Sequence, residues 1–111
     1  MQNSTENIIT IELSPEPNTR EELKSLIETV QHYDDHDVVI DFSHVDIVTS
    51  ASFSGLIHLQ GLMNETGCHL VLCGLSPATR NLFDITGLTQ TFEMCDGMSE
   101  AMVNLGESKS R

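Results

Sequence analysis

The period of hydrophobic and polar positions changes several times along the chain, and each change marks a predicted element. Ile8-Ile9-Thr10-Ile11-Glu12-Leu13 is short, β-branched and partly alternating, which predicts a strand with Ile9, Ile11 and Leu13 on one face. Ser14-Pro15-Glu16-Pro17-Asn18 stops it, because prolines lack a backbone donor and restrict the residues before them. Over residues 20–32, Leu23, Leu26, Ile27 and Val30 recur at three- and four-residue steps. This is the stripe of an amphipathic helix, with Asn18 or Thr19 available as its cap and Glu21, Glu22, Lys24 and Glu28 turned mostly to water. After a polar turn over Asp34-Asp35-His36-Asp37, Val38-Val39-Ile40-Asp41-Phe42 is almost unbroken apolar sequence, as in a central parallel strand buried on both faces.

A second helix is predicted over 52–65, opened by Thr49-Ser50-Ala51-Ser52, with Phe53, Leu56, Ile57, Gln60 and Met63 on its buried stripe and a left-handed cap at Gly67. His69-Leu70-Val71-Leu72-Cys73 is the third strand. Ser76 then caps and Pro77 starts a third helix over 77–86 that buries Leu82 and Phe83 and stops at Gly87. A short strand over 91–94, a helix over 98–105 and a frayed polar tail complete the chain. The βαβαβα order, with connections long enough for crossovers, predicts a parallel sheet with right-handed crossovers and helices packed on it.

With 111 residues the chain is expected to form one domain, with a core over 8–105 and a tail over 106–111. A domain of this size buries roughly 60–70% of the surface of its unfolded chain, so no staple is needed. Cys68, Cys73 and Cys95 are an odd number without a paired short spacing, which fits free thiols in a reducing cytoplasm. No basic, apolar leader opens the sequence and no apolar run is long enough to span a bilayer, so membrane insertion is not expected. Seventeen Asp and Glu against five Lys and Arg give a net charge of −12, which repels phosphate backbones and argues against nucleic-acid binding.

Candidate chemistry centres on Thr49-Ser50-Ala51-Ser52, where a strand gives way to a helix start. Hydroxyls there satisfy free helix amides, and the positive end of the helix favours an anion. A phosphate on such a hydroxyl adds about −1.5 to −2 charges to the surface without breaking the core, which suits a switch rather than a catalyst. His32, Asp34, Asp35, His36 and Asp37 mix hard and soft ligands with no cysteine to complete a site, so they are expected to be a solvated turn and no metal or cofactor is implied. No Gly-x-Ser-x-Gly elbow surrounds Ser50 and nothing fixes a base against it, so the chain is not expected to be an enzyme. Close packing on the sheet is the expected reason for Gly55 and Gly61.

Two stretches resemble the STAS domains, in particular the bacterial anti-sigma factor antagonists. Asp41-Phe42-Ser43-His44-Val45-Asp46-Ile47-Val48-Thr49-Ser50 keeps the spacing of the family's first signature without a gap. The second, more specific match runs from Cys73 through Ser76-Pro77 and Leu82-Phe83-Asp84 to Gly87-Leu88. The resemblance implies an α/β fold with a mostly parallel four- to five-stranded sheet and about four packed helices. It also implies a non-enzymatic module that binds an anti-sigma factor with serine kinase activity, with a phosphatase as a further partner. Ser50 falls at the serine phosphorylated in regulated members, and the implied docking surface takes in Glu16, Thr49, Ser50, Ala51, Ser52, Phe53 and Leu56. Thr49 stands where those members usually carry Asp, Ser52 where they carry Gly, and only Glu16 matches their acidic opening turn. Relatives without a working phosphosite serve as fixed subunits of stress-signalling complexes or lipid-transport assemblies, which is the alternative function.

Overall fold

The computed structural model describes residues 8–32 and 36–109, with side chains through Leu105. Its elements are β1 (Ile8–Glu12), α1 (Asn18–His32), β2 (Asp37–Asp41), α2 (Ser50–Thr66), β3 (Leu70–Cys73), α3 (Pro77–Ile85), β4 (Glu93–Cys95) and α4 (Met98–Lys109). The four strands lie in the order β1-β2-β3-β4, and every neighbouring pair is parallel. The unbroken apolar runs do what a two-sided environment requires: Val38, Val39 and Ile40 of β2 and all of β3 are buried, while the edge strands β1 and β4 are only partly covered.

Because the strands follow one another in chain order, right-handed crossovers carry all three connecting helices to the same face. Leu23, Leu26 and Val30 of α1, Leu56, Leu59 and Met63 of α2 and Phe83 of α3 pack there with Val38, Ile40, Leu70 and Leu72. The opposite face would be open without the last element. Instead α4 lays Ala101 and Leu105, flanked by Met98 and Met102, over Val39, Val71, Cys73 and Cys95.

Several details differ from the sequence expectation. Asp37 is not a turn residue: it opens β2, is buried, and its Oδ1 accepts the His69 backbone N–H at 2.8 Å, so a carboxylate starts the β2–β3 ladder. Asp34 and Asp35 lie outside the described residues. The α2 stripe is Ser52, Leu56, Leu59 and Met63, with Ile57 exposed and Gln60 half-buried, because apolar residues surround this helix and blur its period. Gly55 faces Leu23 of α1 rather than the sheet, and a Cβ on Gly61 would meet nothing within 4 Å. The chain over 106–109 continues α4 instead of forming a tail.

Gly67 ends α2 at φ +74°, with its N–H on Asn64 O and that of Cys68 on Met63 O, the expected left-handed stop. Gly74 is under a tighter constraint. It has φ +68°, and a Cβ there would lie 2.9 Å from Asp41 Oδ1 and 3.2 Å from Ser43 N. Gly74→Ala should therefore cost about 2 kcal/mol or more, from left-handed strain plus displacement of the β2 exit. Gly61→Ala, in an open helix position, should gain up to about 1 kcal/mol. Urea unfolding of the two variants reads both values, and equal effects at the two sites would contradict the assignment.

Candidate functional site

Three loops meet where the parallel strands end, the usual place for function in open α/β sheets. Hydrogen bonds continue past the strands, from Leu13 N to Asp41 O at 3.0 Å and from Phe42 N to Cys73 O at 2.8 Å, so the loops leave from a fixed base. The loop after β1 is tied back on α1. The Ser14 backbone N–H and hydroxyl donate to the Glu22 carboxylate at 2.7 and 2.8 Å, and the Thr19 hydroxyl donates to Ser14 O at 2.6 Å. Thr19 is thus buried and bonds backwards rather than capping the helix, and Glu22 is a tether rather than a solvated charge.

Within the loop after β2, Val45 and Val48 point into the core while Asp46, Ile47, Thr49 and Ser50 are exposed. Asp41 Oδ1 accepts the Ser43 N–H at 2.9 Å, which turns the chain out of the strand. On the other side Ser76 caps α3, accepting the Thr79 N–H at 3.1 Å, and its hydroxyl donates to Asp46 O at 2.6 Å. One serine therefore fixes both a helix start and the neighbouring loop.

Capping at the start of α2 falls to Thr49, whose hydroxyl accepts the Ser52 N–H at 3.2 Å. Its own N–H donates to Glu16 Oε2 at 2.9 Å, across 33 positions of sequence. Partial burial pushes the Glu16 carboxyl up, but hydrogen bonds from the Thr49 amide and from the Ser52 and Thr49 side chains outweigh that push, leaving its pKa below the ordinary value. Ser50 is the first residue of the helix and is exposed, and its hydroxyl makes no hydrogen bond among the described residues. The α1 side of this corner is a groove lined by Arg20, Lys24, Glu28 and His58 with Ala51 and Ser52. Two of the five cations of a strongly acidic chain thus stand beside the helix start.

The residues grouped by sequence separate here. Glu16, Thr49, Ser50 and Ala51 gather at one accessible corner. Leu56 and Ser52 do not present to a partner: they are 0% and 1% exposed, on the face of α2 that packs inward. Phe53 is half-buried, with its ring edge-on to Phe83 at 5.0 Å, and Phe83 meets Phe92 in the same way at 5.1 Å, so its ring joins α2 to α3. Signals for Glu22 and for the Ser76–Asp46 link were present only as residue types, since nothing local specifies a partner eight or thirty positions away. Among the described residues no group of three His, Cys, Asp or Glu is placed to hold a metal. Burial, with lesser contributions from Asp41 and Cys95, pushes the Cys73 thiol up to about 11, and burial raises Cys95 as well, so neither is a thiolate nucleophile near neutral pH.

The chain is thus a parallel α/β domain with an uncovered hydroxyl at a helix start. The profile of the STAS domain matches residues 10–101, and the chain belongs to that family. Solved structures with the same fold include an anti-sigma-factor antagonist (STAS) domain protein from Planctomyces limnophilus, 17% identical, with a TM-score of 0.72 over 82% of this chain and 79% of that one. RsbS from Moorella thermoacetica, in a serine-to-glutamate variant, is 19% identical, with a TM-score of 0.76 over 94% of this chain and 90% of that one. Bacillus SpoIIAA in its phosphorylated form is 17% identical, with a TM-score of 0.61 over 87% of this chain and 85% of that one. No described helix is long and apolar enough to cross a membrane.

The Glu16–Thr49 bond has a measurable signature. A carboxyl with a depressed folded-state pKa contributes stability that is fully present above its unfolded value, about 4.3, and is lost as pH falls through the folded value. The Thr49 amide resonance should titrate with a midpoint below that value, and Glu16→Gln should abolish the step. A midpoint at or above it would mean that the bond does not form in solution. Thr49→Ala should cost about 1 kcal/mol by uncapping α2, measured by urea unfolding.

Proposed function

We propose that this protein is a non-enzymatic regulatory module of the anti-sigma factor antagonist type, which binds an anti-sigma factor with serine kinase activity and is switched by phosphorylation of Ser50. The observation that carries the reading is the exposed Ser50 hydroxyl at the first residue of α2, left free because Thr49 does the capping. Support also comes from the solved relatives: SpoIIAA is described in unphosphorylated and phosphorylated forms, and RsbS with glutamate in place of a serine.

Unphosphorylated, the corner built from Glu16, Thr49, Ser50 and Ala51 docks on the kinase through small hydroxyls and backbone. Phosphate at Ser50 meets the free amides at the start of α2 and, in the groove beside its neighbour Ala51, Arg20 and Lys24, which offset its charge against the carboxylates of Glu16 and Glu28. The penalty falls on the complex, where the phosphate must be desolvated against a surface shaped for a hydroxyl. A cost of a few kcal/mol weakens association about a hundredfold. A phosphatase restores the binding form. The reading places the protein in the bacterial cytoplasm, with its partners.

A fixed subunit of a signalling or lipid-transport assembly is the second reading, and Thr49 and Ser52 favour it as departures from the regulated pattern. Intact mass before and after incubation with the cognate kinase and ATP should rise by one phosphate in the native chain and not in Ser50→Ala. Ser50→Asp should weaken kinase binding about a hundredfold. Equal mass gain in Ser50→Ala would sink the choice of residue, and binding indifferent to both substitutions would favour the fixed subunit.

A further inference from the structure

On the side of Ser50 away from α1, the fold leaves apolar surface uncovered. Four large hydrophobic side chains are exposed among the described residues, and two of them, Ile47 at 66% and Ile85 at 73%, line one groove of about 200 Å³. Val48, Ala78 and Leu82 add to it, with Thr79 and Asn81 as its polar members. An isolated exposed isoleucine is ordinary, whereas two converging on a concave surface next to a candidate docking corner are not. The groove is also prearranged. One wall precedes α2 and the other is α3, and the Ser76 hydroxyl on Asp46 O at 2.6 Å holds them together, so little ordering is left for binding to impose.

We propose that this groove receives an apolar side chain from a basic segment of the protein that docks at Ser50, a proposal that rests on the reading of Ser50 as a docking corner. Charge selects the occupant. Asp46 and Asp84, the chain neighbours of Ile47 and Ile85, are exposed, and no lysine or arginine lines the groove. Arg80, on the same helix, is drawn toward the end of β4, with its guanidinium 3.6 Å from Asp96. In a chain of net charge −12, an apolar residue entering this uncharged groove is therefore best carried between lysines or arginines. A second copy of this chain, at −12, and an anionic membrane surface are both repelled.

The test uses the full ¹⁵N-labelled chain and a synthetic helical peptide with two leucines one turn apart between lysines. Amide shifts are expected at Ile47, Ala78, Leu82 and Ile85. Affinity is expected to fall about tenfold for Ile85→Ser or Ile47→Ser, and similarly when the peptide leucines become alanine or its lysines glutamate. Thermal unfolding confirms that the exposed substitutions leave the fold intact. Equal binding by the alanine or glutamate peptide, shifts confined to other faces, a dimer in sedimentation that Ile85→Ser dissolves, or co-sedimentation with phosphatidylglycerol vesicles would each overturn the proposal. The readout needs no kinase and no phosphate, so its failure leaves the Ser50 switch standing, and failure of the switch leaves the peptide result to be read by itself.

Discussion

Four parallel strands set side by side in chain order constrain nearly everything else in this molecule. Each connection must run from the carboxyl end of one strand to the amino end of the next. The preferred hand of that crossover places α1, α2 and α3 on one face, where one core absorbs their apolar stripes. Two consequences follow from this geometry. The bare second face has to be closed by a helix that follows the last strand, which is the place of α4. The loops that leave β1, β2 and β3 must also emerge at the same end of the sheet, so Glu16, Ser50 and Ser76 become neighbours although the sequence spreads them over sixty positions.

That convergence is held by polar contacts that cross between loops. Glu16 bonds the Thr49 amide, Ser76 bonds the Asp46 carbonyl, and Gly74 lets the β3 exit pass against Asp41 and Ser43. The first two each satisfy a backbone group that a loop would otherwise leave without a partner in the chain. The result divides the work among adjacent hydroxyls. Thr49 and Ser52 are used internally, the first as cap and the second packed inward, while Ser50 between them is left to solvent.

Much of the fold could be read from periodicity because the central strands are two-sided. Val38-Val39-Ile40 and Leu70-Val71-Leu72 have no polar residue to confuse their assignment, and the Ser76-Pro77 pair announces α3 without ambiguity. Where the reading failed, the pattern was degenerate or the cause was distant. In α2, Phe53, Leu56, Ile57, Leu59, Leu62 and Met63 are apolar on nearly every side, so the stripe read from spacing is rotated: it takes in the exposed Ile57 and misses Ser52 and Leu59. Asp37 looked like the end of an acidic turn, and only its pairing with the His69 amide across the sheet explains its burial. For the candidate site, the spacing located the corner, whereas the contacts that build it lie eight to thirty-three residues apart and leave no local trace.

The departures of this corner from the usual family pattern make physical sense once Glu16 is included. An aspartate before Ser50 would supply two things to the helix start, a side-chain acceptor for a free amide and a negative charge near the positive end of the dipole. Thr49 retains the acceptor, bonding the Ser52 N–H, but brings no charge. The charge arrives instead from Glu16, whose carboxylate sits 2.9 Å from the Thr49 nitrogen and is stabilised there enough to lower its pKa. The acceptor and the charge are thus divided between two loops, so the electrostatics of the α2 start depend on how the β1 and β2 exits are held together.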